Sequence, residues 1–190
     1  MLAYVFWHWR KPGVSPGDYE ERQRAFHAAL AAEPPQGFLG SFSVALSGAP
    51  WAARGGDAYG DWYFVVDFAA LGVLNDAAVT GGRAGPHAAA AAAAEGGTAG
   101  VYRLRVGDAL LPPRHACWLS KPPGMRYDEF FSLLAPVVKD AHGALWMRQM
   151  TLGPAREFSL HTDSPPAVPS GLDPLVVPVR PVWPARGEPS

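Results

Sequence analysis

Apolar residues recur along this chain with a period of two in some stretches and of three to four in others, and their order predicts alternating strands and helices. From Ala3 to Arg10, Tyr4, Phe6 and His8 alternate with Val5, Trp7 and Trp9, so a first strand is expected with both faces buried. Pro12-Gly13 ends it. Ser15-Pro16-Gly17-Asp18 has the composition of a helix start, and a helix presenting Tyr19, Phe26 and Leu30 inward should run to about Ala32, before Pro34-Pro35. A second strand opens at Gly37 and reaches Leu46; a third is expected from Asp61 to Phe68. Ala69 to Val79 reads as a helix packing through Leu71, Leu74 and Ala78, broken at Gly81-Gly82. The alanine run Ala88 to Ala94 gives a further helical piece ending at Gly96-Gly97, and Val101 to Val106 gives a fourth strand.

After Pro112-Pro113 the pattern starts again. A strand is expected from His115 to Ser120, a helix from Tyr127 to about Ala141 that Pro136 should kink or restart, a strand from Ala144 to Leu152, and another from Glu157 to Thr162. Trp9-Arg10-Lys11-Pro12-Gly13 ahead of Tyr19-Glu20-Glu21 is matched by Leu119-Ser120-Lys121-Pro122-Pro123 ahead of Tyr127-Asp128-Glu129. Gly37 to Leu46 and Gly143 to Leu152 have the same nine-residue spacing. This is an internal repeat of strand, helix, strand, strand. Asp163 to Pro174 is too rich in proline to supply a second helix to the later copy. Leu175 to Trp183 is expected as a strand that Pro178 and Pro181 confine to an edge, and residues 184 to 190 read as a frayed tail.

Composition narrows the function classes. With 190 residues, 48% hydrophobic, the chain can bury a substantial core. A formal net charge of −1 and a charged fraction of 17% leave no basic face for phosphate backbones, which disfavours nucleic acid. The one cysteine, Cys117, excludes an intrachain disulfide and any cysteine-based zinc spacing, and no metal is expected. No apolar run is long enough to span a bilayer, and Met1-Leu2-Ala3-Tyr4 lacks a charged leader, so a soluble cytoplasmic protein without membrane partners is expected.

From Leu2 to Trp183, the repeat and the tryptophan-rich strands buried on both faces resemble the dimeric α+β barrel superfamily in its fused two-repeat form. The resemblance implies an α+β fold: two tandem ferredoxin-like βαββαβ repeats forming a barrel, residues 1–110 the first and 111–183 a shortened, degenerate second. It also implies helices outside the sheet and a cavity inside it, where chemistry takes place. Known members include cofactor-free monooxygenases, haem-dependent enzymes related to chlorite dismutases and dye peroxidases, polyketide cyclases, muconolactone isomerases and stress proteins of unknown activity. Fold alone does not choose among these.

Alternation places Tyr4, Phe6 and His8 on the face expected to line the cavity, and the repeat alignment sets Trp118 opposite His8 and Cys117 with Trp7 on the helix-covered face. Trp146, Arg148 and Met150 share a face of the sixth strand. An arginine in an apolar strand needs a partner or an anionic ligand; Arg103 and His161 raise the same question. His8 and Arg148 are the expected joint anchors for an anionic oxygen, with His161 as a third catalytic candidate. Trp51, in the glycine-rich stretch from Ser47 to Gly60 that also holds Arg54, is either a lid over a pocket or the anchor of an exposed insertion. His87, near a helix N-terminus, is the candidate cofactor ligand, haem being the alternative to a cofactor-free protein. His27, His115 and His142 fall at helix flanks or loop edges and carry no signal. Two readings result: a binding protein or enzyme for a small apolar or aromatic molecule, or a non-catalytic barrel that self-associates, for instance as a homodimer. An interior filled by side chains favours the second, and a cavity with convergent polar groups the first.

Overall fold

A computed structural model describes residues 1–51, 58–108, 110–150 and 155–184. Its elements run β1 (Leu2–Arg10), α1 (Pro16–Ala32), β2 (Phe38–Leu46), β3 (Ala58–Val65), α2 (Phe68–Ala78), a 3-10 turn at Gly81–Arg83, α3 (Ala84–Ala93), β4 (Ala94–Gly107), β5 (His115–Leu119), α4 (Tyr127–Asp140), β6 (Ala144–Gln149), β7 (Phe158–Thr162), β8 (Leu175–Val177) and β9 (Val179–Trp183). Local chemistry explains the helix starts. Ser15 caps α1, its Oγ accepting from the Asp18 N–H at 3.1 Å, with Pro16 in the first turn. Asp67 caps α2 through the Ala70 N–H at 2.9 Å.

All nine strands form one antiparallel sheet, ordered β8-β5-β7-β6-β4-β1-β3-β2-β9. β8 and β9 lie at opposite ends of that order, yet only Pro178 separates them in sequence. The sheet must therefore curl until its edges meet. Within the first half the order is β4-β1-β3-β2, and in the second β8-β5-β7-β6, the same permutation of four strands. The expected single strand from Leu175 to Trp183 is split at Pro178 into β8 and β9; β9, which carries Pro181, is an edge strand, as the missing donor requires.

One face of the curled sheet is its interior. Ala3, Val5, Trp7, Phe42, Trp62, Phe64, Tyr102, Trp118 and Trp146 meet there, with Trp51 set between Trp7 and Trp118 at ring separations of 5.9 and 4.7 Å. Trp62 lies 5.5 Å from Tyr102 and 5.5 Å from Trp146, and Trp146 stacks on Phe64 at 5.4 Å. Large aromatic rings in tilted and edge contact fill the interior. The outer face is covered by α4 over Cys117, Leu119, Leu145, Phe158 and Leu160, and by α1 over β1, β2 and β3.

Several expectations are corrected. Tyr4, Phe6 and His8 face outward, and Val5 and Trp7 face the interior; Trp7 shares its core with Trp118, so the β1 alignment onto β5 slips by one residue. Such a slip turns every side chain to the other face, and a strand apolar on both sides gives alternation nothing to phase on. Cys117 does lie on the helix-covered face, and burial pushes its thiol up to about 12. β4 begins at Ala94 and passes through Gly96 and Gly97, which were expected to end a helix. At Gly97 a Cβ would stand 2.4 Å from the Phe6 ring and 2.7 Å from the Trp7 carbonyl oxygen, so this glycine admits a close neighbour instead of breaking an element. β3 starts three residues earlier than expected, at Ala58, and α4 does not restart at Pro136. Arg54, Leu152 and residues 185–190 lie outside the described residues.

Candidate functional site

Two places combine polar chemistry with burial. The first is at the end of the curled sheet where β4 and β7 finish and β6 begins. A cavity of about 270 Å³ there is lined by Asp108, Leu110, Leu111, Pro113, His142, His161, Thr162 and Asp163. His161 is 2% exposed, on the interior face of β7, with Trp62 edge-on at 4.4 Å and Phe42 at 5.8 Å. Its Nε2 is 3.0 Å from the Ser159 hydroxyl, while its Nδ1, like the Thr162 Oγ1, is buried without a hydrogen-bond partner among the described residues. Burial pushes the imidazole down to about 3, so the ring is neutral at ordinary pH. An unpaired buried polar atom costs about 1–3 kcal/mol, so Nδ1 is a site where a hydrogen-bonding ligand is favoured.

The second place lies under α1. Asp61 on β3 is 1% exposed. Nε2 of His8 is 3.0 Å from its Oδ2, Nε2 of His27 is 3.4 Å from its Oδ1, and the Tyr63 hydroxyl donates to Oδ2 at 3.0 Å. Burial works to raise the Asp61 carboxyl, but the two imidazoles that face it outweigh burial and hold the group well below the usual carboxylate range. An ionised carboxylate only accepts, so it favours hydrogen on the Nε2 that each histidine turns to it, at ion-pair distance and without the alignment of a hydrogen bond. Their other nitrogens reach hydroxyls: Nδ1 of His8 is 2.6 Å from the Tyr19 hydroxyl, and Nδ1 of His27 is 2.7 Å from the Ser41 Oγ. The His27 ring lies parallel to Tyr63 at 5.1 Å, which fixes its plane. Beside this cluster, Glu20 is paired with Arg24 and Arg180 and accepts from the Tyr59 hydroxyl at 3.3 Å, in the wall of a cleft of about 200 Å³.

The residues picked out in sequence divide between these places and the core. His161 is in the cavity at the end of the sheet. His8 belongs to the Asp61 cluster on the helix-covered face, while Arg148 shares the interior face of β6 with Trp146 and donates to the Ala155 carbonyl; the expected joint anchoring of one oxygen fails because the two side chains lie on opposite faces of the sheet. Met150, expected beside Arg148, is exposed with a left-handed backbone. Trp51, Trp118 and Trp146 fill the interior, Tyr4 packs outward near Tyr63, Phe6 stacks on His8, and Arg103 is an exposed residue of the outer face, so none of these last three lines a cavity inside the sheet. His27 and His142, set aside in sequence, lie in the Asp61 cluster and the cavity at the end of the sheet respectively.

Haem needs an open coordination side on a histidine. His161 is enclosed by Trp62, Phe42 and Trp118, and its cavity is below even the 300–1,000 Å³ usual for drug-sized ligands; His87 on α3 packs edge-on to Phe26 at 5.1 Å. Neither residue fits a porphyrin in this structure. Among the described residues no group of three or more His, Cys, Asp or Glu side chains is arranged to hold a metal ion, and no helix is long and apolar enough to cross a membrane.

What fold and sites define is an α+β protein on a large antiparallel sheet with two buried polar centres. No protein-family model matches the chain, and no curated protein matches it significantly. Among solved structures it is similar to one whose chlorite dismutase assignment is itself provisional, at 14% identity and a TM-score of 0.45, over 87% of this chain and 81% of that one. At that score the likeness carries no argument about activity.

Proposed function

We propose that the chain is a cofactor-free small-molecule-binding protein of the two-repeat, ferredoxin-like α+β barrel type, its ligand seated at the barrel end against His161. The repeated strand order β4-β1-β3-β2 and β8-β5-β7-β6 supports the architecture. The single observation that carries the site is the buried, neutral His161 with a free Nδ1 in the wall of a cavity flanked by Leu110 and Leu111. A cavity of about 270 Å³ takes a compact apolar or aromatic molecule with one polar group. Binding is favoured over proton abstraction by this histidine, because a base works best with a pKa near the working pH and His161 lies near 3. Monooxygenase, cyclase or isomerase chemistry at this cavity therefore needs another proton acceptor.

A second reading rests on the interior: Trp7, Trp62, Trp118 and Trp146 are fully buried, Trp62 against Trp146 and Trp51 between Trp7 and Trp118, as in a non-catalytic barrel that self-associates. A panel of phenol-, indole- and benzoate-sized compounds, titrated with tryptophan fluorescence as readout, separates the two. Saturable quenching lost in His161→Phe is expected, since Trp62 is 4.4 Å from the ring. No saturable change with any compound, or unchanged affinity in the variant, leaves the non-catalytic reading.

A further inference from the structure

The polar cluster under α1 is unlike a structural helix–sheet contact. Apolar residues of similar volume do as well or better than a buried ion pair for stability, and yet α1 presses Tyr19, Glu20, Gln23 and His27 onto Ser41, Ser43, Tyr59, Asp61 and Tyr63. The cluster ends differently on its two sides. Through His8 it runs inward to Tyr19, which is fully buried; through His27 it runs to Ser41, which alone among these residues is partly exposed. Two residues along β2, Leu39 is exposed as well.

We propose that Ser41, His27 and Asp61 form a nucleophilic site that takes the acyl group of small esters. Hydroxyl, imidazole and carboxylate stand in the order such a site requires, at 2.7 Å from Ser41 Oγ to Nδ1 of His27 and 3.4 Å from its Nε2 to Asp61. Asp61, anchored by Tyr63, favours hydrogen on the facing Nε2 of His27, so that the neutral form of the ring accepts at Nδ1. Ser41 Oγ adds to the ester carbonyl carbon as its proton passes to Nδ1 of His27. The bond to the leaving oxygen breaks, and that oxygen takes the proton. Water then attacks the acyl-serine, giving a proton to His27 and on to Ser41 Oγ, and the acid leaves. This site is separate from the His161 cavity, and its test reads neither fluorescence nor the barrel end.

A fluorophosphonate probe is added to the full chain and the labelled peptide identified by mass spectrometry. Stoichiometric labelling at Ser41 is expected, absent in Ser41→Ala and slowed about 100-fold in His27→Gln, the low end of what a positioned base contributes. Labelling elsewhere only, or a rate indifferent to His27→Gln, overturns the proposal. Should His27→Gln not fold, Ser41→Cys in the otherwise intact chain decides. Its alkylation by iodoacetamide at pH 6.5 should exceed that of free cysteine about 10-fold, because an adjacent imidazole favours the thiolate; a rate equal to or below free cysteine overturns it.

Discussion

His161 carries a charge cost that folding must meet. In the unfolded chain its pKa returns to the ordinary 6.5, while in the fold it is pushed down to about 3, so below pH 6.5 the unfolded state binds the extra proton. The stability that depends on a neutral His161 is thus complete above pH 6.5 and is lost as pH falls towards 3. The slope reaches about 1.4 kcal/mol per pH unit, or about 2 kcal/mol lost by pH 5. Urea midpoints of wild type and His161→Phe between pH 7.5 and 5 test this: the variant should lack that part of the decline, and parallel curves contradict it. His161 could be picked out in sequence because it is a polar residue inside an apolar strand. Asp61 offered the same signal, standing before Trp62-Tyr63-Phe64-Val65, and Tyr19, Gln23 and His27 fall four residues apart on one helix face. What no pattern along the chain supplied was the register that sets Ser43 against Asp61, and His8 and Ala45 against Tyr59.

At the scale of elements, order and type were legible and phase was not. Every helix from α1 to α4 falls where capping residues, prolines and apolar spacing put it to within a few residues. β1 misled because its two faces are about equally apolar, and only the cover of α1 on one side and the tryptophans of other strands on the other decide which is inside. Glycines misled for a related reason, since their role depends on what lies across from them. Gly97→Ala should destabilise by about 1–3 kcal/mol, the usual cost of overpacking, because the Cβ meets the Phe6 ring and a carbonyl of β1. Gly72→Ala, in α2 with nothing within 4 Å of the added carbon, should stabilise by about 0.5–1 kcal/mol. Thermal melts of the two variants should move in opposite directions; a shared sign contradicts the assignment of Gly97 to the middle of a strand.

Across the whole molecule, closure rests on the segment Leu175–Trp183. β8 completes one edge on β5 and β9 the other on β2, with Ser47 donating its N–H to the Pro178 carbonyl at 3.2 Å between them. A chain ending at residue 174 leaves both β5 and β2 with open edges, and open edges recruit other strands. Size exclusion with light scattering should find this truncated protein in concentration-dependent oligomers with a lowered melting temperature; a monomer that melts like the full chain contradicts closure at Pro178.

That joint also sets a timetable for biogenesis. Strands β1 to β7 leave the ribosome before either edge can be covered, and the piece that covers both is made after them. A nascent chain of this protein must hold two sticky borders apart until one short, proline-hinged segment arrives. Its hazard during synthesis is exchange of that segment with a neighbour on the same message, giving two interlocked chains in which each covers the other's sheet edges.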